Sequence, residues 1–269
     1  MCDGMRLKIS HTTRYTFDGQ VQFGLQQLRK TPKSTHQQKV LAWQTNVTGG
    51  KKELTFEDHH NNKVELVSFD HAVSVLELTS SGEVEIDETH GVVGRHLGPS
   101  PLWLYRRATP MTRAGSGVKA LVRQVEGETE LERLHSLMQV IHANVAYEIG
   151  ASNPDWSAET AIAEGRGVCQ DHAHVFLSAA REMGFAARYV SGYLMLNDRV
   201  AQDAMHAWAE TYVEGVGWVG FDVSNGISPD TRYVRVATGL DYQEAAPVTG
   251  TRIGGTGEAL DVRIEVAEQ

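Results

Sequence analysis

Cysteine is almost absent from this chain, with two residues, Cys2 and Cys169, in 269. Cys2 lies in the short polar leader Met1-Cys2-Asp3-Gly4, so a structural disulfide is not expected. Long apolar runs are missing as well. None reaches the roughly 20 residues a membrane-spanning helix needs, and the N-terminus lacks the apolar stretch of a signal peptide. A reducing, cytoplasmic setting is therefore expected, where a lone internal cysteine is either inert or chemically employed. Proline is scarce at 7 residues, and three of them, Pro99, Pro101 and Pro110, gather in one segment.

Positive charge is in short supply, and unevenly so. Residues 1–110 hold 13 Lys and Arg against 12 Asp and Glu, whereas residues 111–269 hold 12 against 22, giving the whole chain its net charge of −9. An acidic C-terminal half repels phosphate backbones and anionic lipid, so neither nucleic acid nor a membrane surface is an expected partner. Neutral or cationic substrates are favoured. With 41% hydrophobic residues the chain can bury a sizeable core.

Alternation of apolar and polar residues predicts short strands over the first part, at 6–11, 40–47, 63–69 and 83–86. Asp18-Gly19, Gly49-Gly50, His60-Asn61-Asn62 and Ser81-Gly82 read as the turns between them. The pattern suits an N-terminal antiparallel β-sandwich over residues 1–95. Residues 96–117, rich in proline and glycine, read as a linker in which Trp103 and Tyr105 either pack against a domain or wall a groove. The third region, 118–269, changes period: Leu134, Met138, Ile141 and Val145 share one face of a helix within about 129–146. A short helix follows with Ser157 as N-cap and Gly165 as breaker, then a helix over about 168–183 ended by Gly184. After it come a strand at 187–194 and a hairpin, 206–213 with 217–222, turning about Glu214-Gly215-Val216.

The single internal thiol stands at a telling place. Gly165-Arg166-Gly167-Val168 delivers Cys169 to the start of a helix, where unpaired N–H groups favour a thiolate. A thiolate nucleophile needs a proton acceptor, and the acceptor needs a group to hold its tautomer. His206 and Asp222 supply both, provided the hairpin brings them to one face. That requires paired residue numbers to sum to an even value, as when Trp208 sits opposite Asp222. Plainer readings exist for each residue: Cys169 as a small core filler, His206 as a satisfied buried histidine, Asp222 as the cap of the turn Ser224-Asn225-Gly226. Asp171 reads as a carboxylate steadying the helix N-terminus. Cys169, His172 and His174 do not make a metal site, because their spacing splits them between helix faces. No metal and no cofactor are expected. Trp208, Trp218, Tyr189 and Tyr193 read as sheet core, with one of them available to shape a substrate pocket.

Four motifs in order, Gly-Val-Cys169-Gln-Asp-His-Ala-His, Ala-Arg188-Tyr-Val-Ser-Gly-Tyr, His206-Ala-Trp-Ala-Glu and Gly-Trp-Val-Gly-Phe-Asp222, resemble the core of the bacterial transglutaminase-like superfamily, a papain-like cysteine-enzyme group. Thr13-Arg14-Tyr15-Thr16-Phe17 and the tail from Ala246 to Arg263 resemble that family's all-β N-terminal region and closing strands. The resemblance implies an α+β fold in which a helix-borne Cys169 packs against an antiparallel sheet carrying His206 and Asp222, behind an all-β domain. Members often carry an aromatic residue where this chain has His172. The expected chemistry is acyl transfer on a peptide or protein amide through a thioester, with hydrolysis first. The alternatives are transfer to an amine, as in a protein transglutaminase, and a non-catalytic protein-binding module. The main-chain N–H of Cys169 is the expected oxyanion donor.

Overall fold

A computed structural model describes residues 4–269, and the reading of Cys2 falls outside them. The fold mixes α and β. Strands come first: β1 (Met5–Leu28), β2 (Gln38–Thr48), β3 (Gly50–Glu57), β4 (Lys63–Phe69), β5 (Val73–Ile86) and β6 (Val92–Gly94). Helices then enter, with α1 (Ser116–Val122), α2 (Glu130–Asn144), β7 (Ala146–Tyr147), α3 (Ala158–Glu164), β8 (Arg166–Gly167) and α4 (Cys169–Glu182). The chain closes with β9 (Ala187–Leu194), β10 (Ala201–Gln202), β11 (His206–Val213), β12 (Gly217–Phe221), β13 (Tyr233–Gly239), α5 (Tyr242–Ala245), β14 (Val248–Gly254) and β15 (Ala259–Glu268). Among the described residues no helix is long and apolar enough to cross a membrane.

The first sheet is organised by β1, whose 24 residues change partners along their length. Its first half lies between β5 and β15, its second half between β4 and β14. Tyr15, Phe17, Val21 and Leu28 from this strand meet Val67, Leu76 and Leu78 in a small core that the curled sheet encloses. Asp18-Gly19, expected to end a strand, is instead a bend inside one, marked by a register shift between Thr16 and Val21. Ser81-Gly82 is not a turn either. Gly82 sits within β5 opposite both Ile9 and Trp43, and a Cβ there would run into the Ala42 carbonyl and the Trp43 ring. The glycine serves close strand approach.

The second sheet runs β13-β9-β11-β12-β6, all antiparallel. α4 packs on β11 and β9, and its Val175, Phe176, Ala179 and Ala180 join Leu134, Leu137 and Ile141 of α2 in the main core with Ala207, Ala209 and Val219 of the sheet. Thr129 caps α2 through the Glu132 N–H at 3.2 Å, and Ser157, the expected N-cap, caps α3 through the Thr160 N–H at 3.2 Å.

The sheets do not respect the boundaries at 95 and 118. β6 joins the second sheet, and β14 and β15 return to the first. The reason lies in β1, whose outer edge would be an unpaired row of backbone groups without those last strands. The segment 96–117 is also docked rather than free. Tyr105 is buried with Ala186, Trp218 and Leu240, while Trp103 is 61% exposed. Arg181 of α4 pins this segment, donating to the Tyr105 carbonyl at 3.1 Å, Thr112 Oγ1 at 2.7 Å and the Leu240 carbonyl at 2.7 Å.

Candidate active site

Cys169 is the first residue of α4, so its N–H belongs to the set without an intrahelical partner. Val168 precedes it in extended conformation, and its N–H donates to Asp171 Oδ2 at 2.8 Å. Asp171 thus ties the turn to the helix it opens. The thiol is free and half-buried, while the helix behind it is buried on nearly every face from Asp171 to Arg181.

The hairpin supplies the other two groups. Ala209 pairs with Phe221 and Val213 with Gly217 around the three-residue loop 214–216, which puts Trp208 opposite Asp222. Paired numbers therefore sum to an even value, and His206 and Asp222 share a face. His206 Nε2 donates to Asp222 Oδ2 at 2.6 Å. Cys169 lines the same cavity as the imidazole, and its influence adds to that of Asp222 in raising the His206 pKa.

Asp222 is fully buried and heavily solvated by protein. Its Oδ2 also accepts from Tyr233 Oη at 2.7 Å and Asn225 Nδ2 at 2.7 Å, and its Oδ1 accepts from Asn225 N at 3.3 Å. The plain reading and the chemical one both hold here, since the carboxylate caps the 222–225 turn and holds the histidine. Burial works against its charge, but the charge of His206 and the bonds from His206, Tyr233 and Asn225 keep the carboxyl below the usual range. For His206 burial again disfavours the cation; the charge and hydrogen bond of Asp222, with Cys169, override it and push the pKa up to about 10. Such a pair can hold an imidazolium beside a sulfur at neutral pH and still give up its proton to a stronger base.

His172 and His174 are engaged elsewhere. His172 Nε2 donates to the Val145 carbonyl at 3.0 Å, and its Nδ1 accepts from Ser224 Oγ at 2.9 Å. Burial lowers its pKa, so the ring is neutral. His174 Nε2 accepts from the Tyr242 N–H at 3.2 Å, and burial, with the charge of Arg181, takes its pKa down to about 3.

Beside Cys169 and His206 lies a cavity of about 320 Å³ between the two sheets. Cys169, Tyr189, Met205 and His206 form one wall; His11, Thr13 and Tyr15 of β1 with Leu260 and Val262 of β15 form the other. Its mostly apolar lining and size suit a side chain or a small ligand. Of the four sheet aromatics, Tyr189 is the one on this wall, whereas Trp103 and Tyr105 are not. Sequence reading did not reach Tyr233, Asn225 or the β1 and β15 wall. Asn225 lies in the turn already marked for Asp222, but no local pattern ties Tyr233 or strands from the far end of the chain to Cys169.

The chain is thus a mixed α/β protein in which a helix-borne thiol faces a histidine and a carboxylate carried by an antiparallel sheet. It belongs to the transglutaminase-like superfamily: residues 119–223 match the Transglutaminase-like superfamily core and residues 7–85 the Bacterial transglutaminase-like N-terminal region. It is 26% identical over 275 residues to an uncharacterized protein of Mycobacterium leprae, covering 97% of this chain and 98% of that one. An uncharacterized protein of Mycobacterium tuberculosis is 31% identical over 147 residues, 51% of this chain and 47% of the relative. Among solved structures, one described as a "putative cysteine protease" from Cytophaga hutchinsonii shares the fold with a TM-score of 0.79 at 20% identity, over 99% of this chain and 91% of that one.

Proposed function

We propose that the protein catalyses acyl transfer from an amide or peptide bond through a thioester on Cys169, with water as the acceptor. The observation that carries this reading is the single imidazole held at 2.6 Å by a buried carboxylate and lining the same cavity as the helix-start thiol. In the first step the Cys169 sulfur bonds to the carbonyl carbon. The negative oxygen that forms is met by the free N–H of Cys169. The carbon–nitrogen bond then breaks, and the amine leaves with the proton that His206 has held. Water next gives a proton back to His206 as its oxygen attacks the thioester, which releases the acid and restores the thiol–imidazole pair. Asp222 keeps the ring oriented and its positive charge compensated throughout. No metal or redox group is required for atoms and charge to balance.

The cavity beside Cys169 supports an acyl group of modest size and apolar character. The test is activity profiling against a peptide library with and without a primary amine, followed by mass spectrometry of Cys169. Acid product without amine, and an acyl adduct on Cys169 of the wild type only, are expected. Product that forms only with the amine would reassign the acceptor. No adduct and no product under either condition would leave a non-catalytic binding role.

A further inference from the structure

A second cavity, of about 410 Å³, lies where the 33–36 segment, the 94–98 segment and strands β9 and β13 meet. Its charge is opposite to that of the chain. Lys33, His36, Arg95, Arg188 and Arg235 all line it, and among the described residues none that line it is acidic. Two carboxylates pair with these cations from outside the lining: Glu57 with Lys33 at 2.7 Å, and Glu210 with both Arg188 at 2.6 Å and Arg235 at 2.8 Å. Glu244 also reaches the lining, bonded to His60 at 2.7 Å, so four permanent cations face three carboxylates, still an excess of positive charge in a protein whose net charge is −9.

Glu210 does not use up its two arginines. Arg188 spends Nε and Nη2 on it and lies over the Trp218 ring at 3.8 Å, which leaves Nη1 without a partner. Arg235 spends Nε only, which leaves both terminal nitrogens. None of these nitrogens is sealed inside protein without a bond, and both residues line the cavity. Arg95 has no hydrogen-bond or ion-pair partner among the described residues. Holding two guanidinium groups nearly buried on a sheet is costly unless their remaining donors are met, and planar forks of this kind match oxyanions. Water alone can serve the donors but cannot offset the charge.

We propose that this cavity binds a compact oxyanion with at least two negative charges, a phosphate group or a small dicarboxylate, held by the free guanidinium donors of Arg188 and Arg235 and closed over by Arg95 and Lys33. The site is separate from Cys169. Successive residues of a strand face opposite ways, so Arg188 turns to this cavity while Tyr189 lines the one at the thiol. Binding here needs no reaction there.

Isothermal titration calorimetry at fixed ionic strength tests the site, with inorganic phosphate in one arm and malonate in the other. The wild type binds at least one of them saturably, and the tighter arm identifies the source of the charge. In the double variant Arg95→Ala/Lys33→Ala binding weakens by about tenfold or more, since two charge-assisted contacts are lost. Both side chains reach solvent, so the variant keeps its fold, which its melting temperature in chloride verifies. Arg263→Ala, a change to a 79% exposed cation outside the cavity, leaves affinity unaltered. The proposal is overturned if neither anion binds saturably, if the double variant binds as tightly as the wild type, or if Arg263→Ala weakens binding to the same degree.

Discussion

His206 and Asp222 are joined by a 2.6 Å hydrogen bond at the open end of a hairpin, and that bond occupies Nε2 and leaves Nδ1 for a second partner. Replacing Asp222 with Asn keeps a polar group of the same shape but removes the charge that stabilises the imidazolium. The His206 pKa then falls, and the sulfur loses its compensating cation. Amide turnover should drop by roughly 10²–10⁴-fold, the scale of losing a general acid–base partner or its orienting carboxylate. Alkylation of Cys169 by iodoacetamide should move to higher pH in the same variant. An unchanged alkylation profile would show that Asp222 does not act through His206.

Tyr233 supports the carboxylate without reaching the sulfur. Its hydroxyl donates to Asp222 Oδ2 at 2.7 Å, and burial followed by the Asp222 charge raises its own pKa, so it stays a donor. Tyr233→Phe removes one of the bonds to a buried charge, a loss of about 1–3 kcal/mol in stability by urea denaturation. Turnover should fall less than in Asp222→Asn, because His206 and Asn225 still hold the carboxylate. A larger loss of turnover in Tyr233→Phe would assign the hydroxyl a direct part in the chemistry.

Gly192 lies opposite His206 in the β9–β11 pairing. A Cβ at this position would press on the Val234 carbonyl and the Trp208 ring, and neither can withdraw because both are buried. Gly192→Ala should therefore destabilise the protein by about 1–3 kcal/mol, the usual scale of overpacking. Because Trp208 stacks beside His206 at 6.2 Å between ring centroids, turnover should fall as well. Chemical denaturation and a kcat measurement on the folded variant separate the two effects.

Local signals carried α2, α3, α4 and the hairpin: the apolar face of α2, Ser157 at an N-cap, left-handed Gly165 and Gly184 at ends, and the 214–216 loop that sets the parity of the pairing. What stayed hidden was of two kinds. β3 is exposed at nearly every position, and its alternation is confined to Leu54-Thr55-Phe56 after the charged run Lys51-Lys52-Glu53; backbone pairing with β4 makes it a strand. Long-range partners were the other kind. The return of β15 to β1, Tyr233 on Asp222 and the β1 wall of the Cys169 cavity are set by topology, and no spacing within a window reports them. The meeting of His206 and Asp222 was legible because strand parity alone decides whether they share a face.

His172 offers an acid-side test. Burial lowers its pKa below the value near 6.5 expected for an unfolded chain. As pH falls below that value the unfolded state takes up a proton that the folded state refuses, so stability declines by at most about 1.4 kcal/mol per pH unit from this group. His172→Phe removes the term. It also strands the Val145 carbonyl and Ser224 hydroxyl, a fixed loss of about 1–3 kcal/mol at neutral pH. Urea unfolding of both proteins at pH 7.5 and pH 5 should show a smaller gap at pH 5. A gap independent of pH would mean that burial does not hold the folded ring's pKa below that of the unfolded chain.

His206 sets the alkaline limit with the opposite sign. Its folded-state pKa is raised to about 10 from the roughly 6.5 of an unfolded chain. The stability this ion pair contributes is fully present below pH 6.5 and is lost as pH rises through about 10, since between those values only the folded state keeps the proton. The difference in unfolding free energy between the wild type and His206→Gln should therefore be largest near pH 6 and shrink steadily toward pH 10. The same proton is the one the leaving amine takes in the proposed reaction, so the basic limb of kcat/KM for amide cleavage should lie well above the ordinary histidine range. A basic limb near 6.5, together with a pH-independent stability difference, would mean that Asp222 does not hold His206 as an imidazolium.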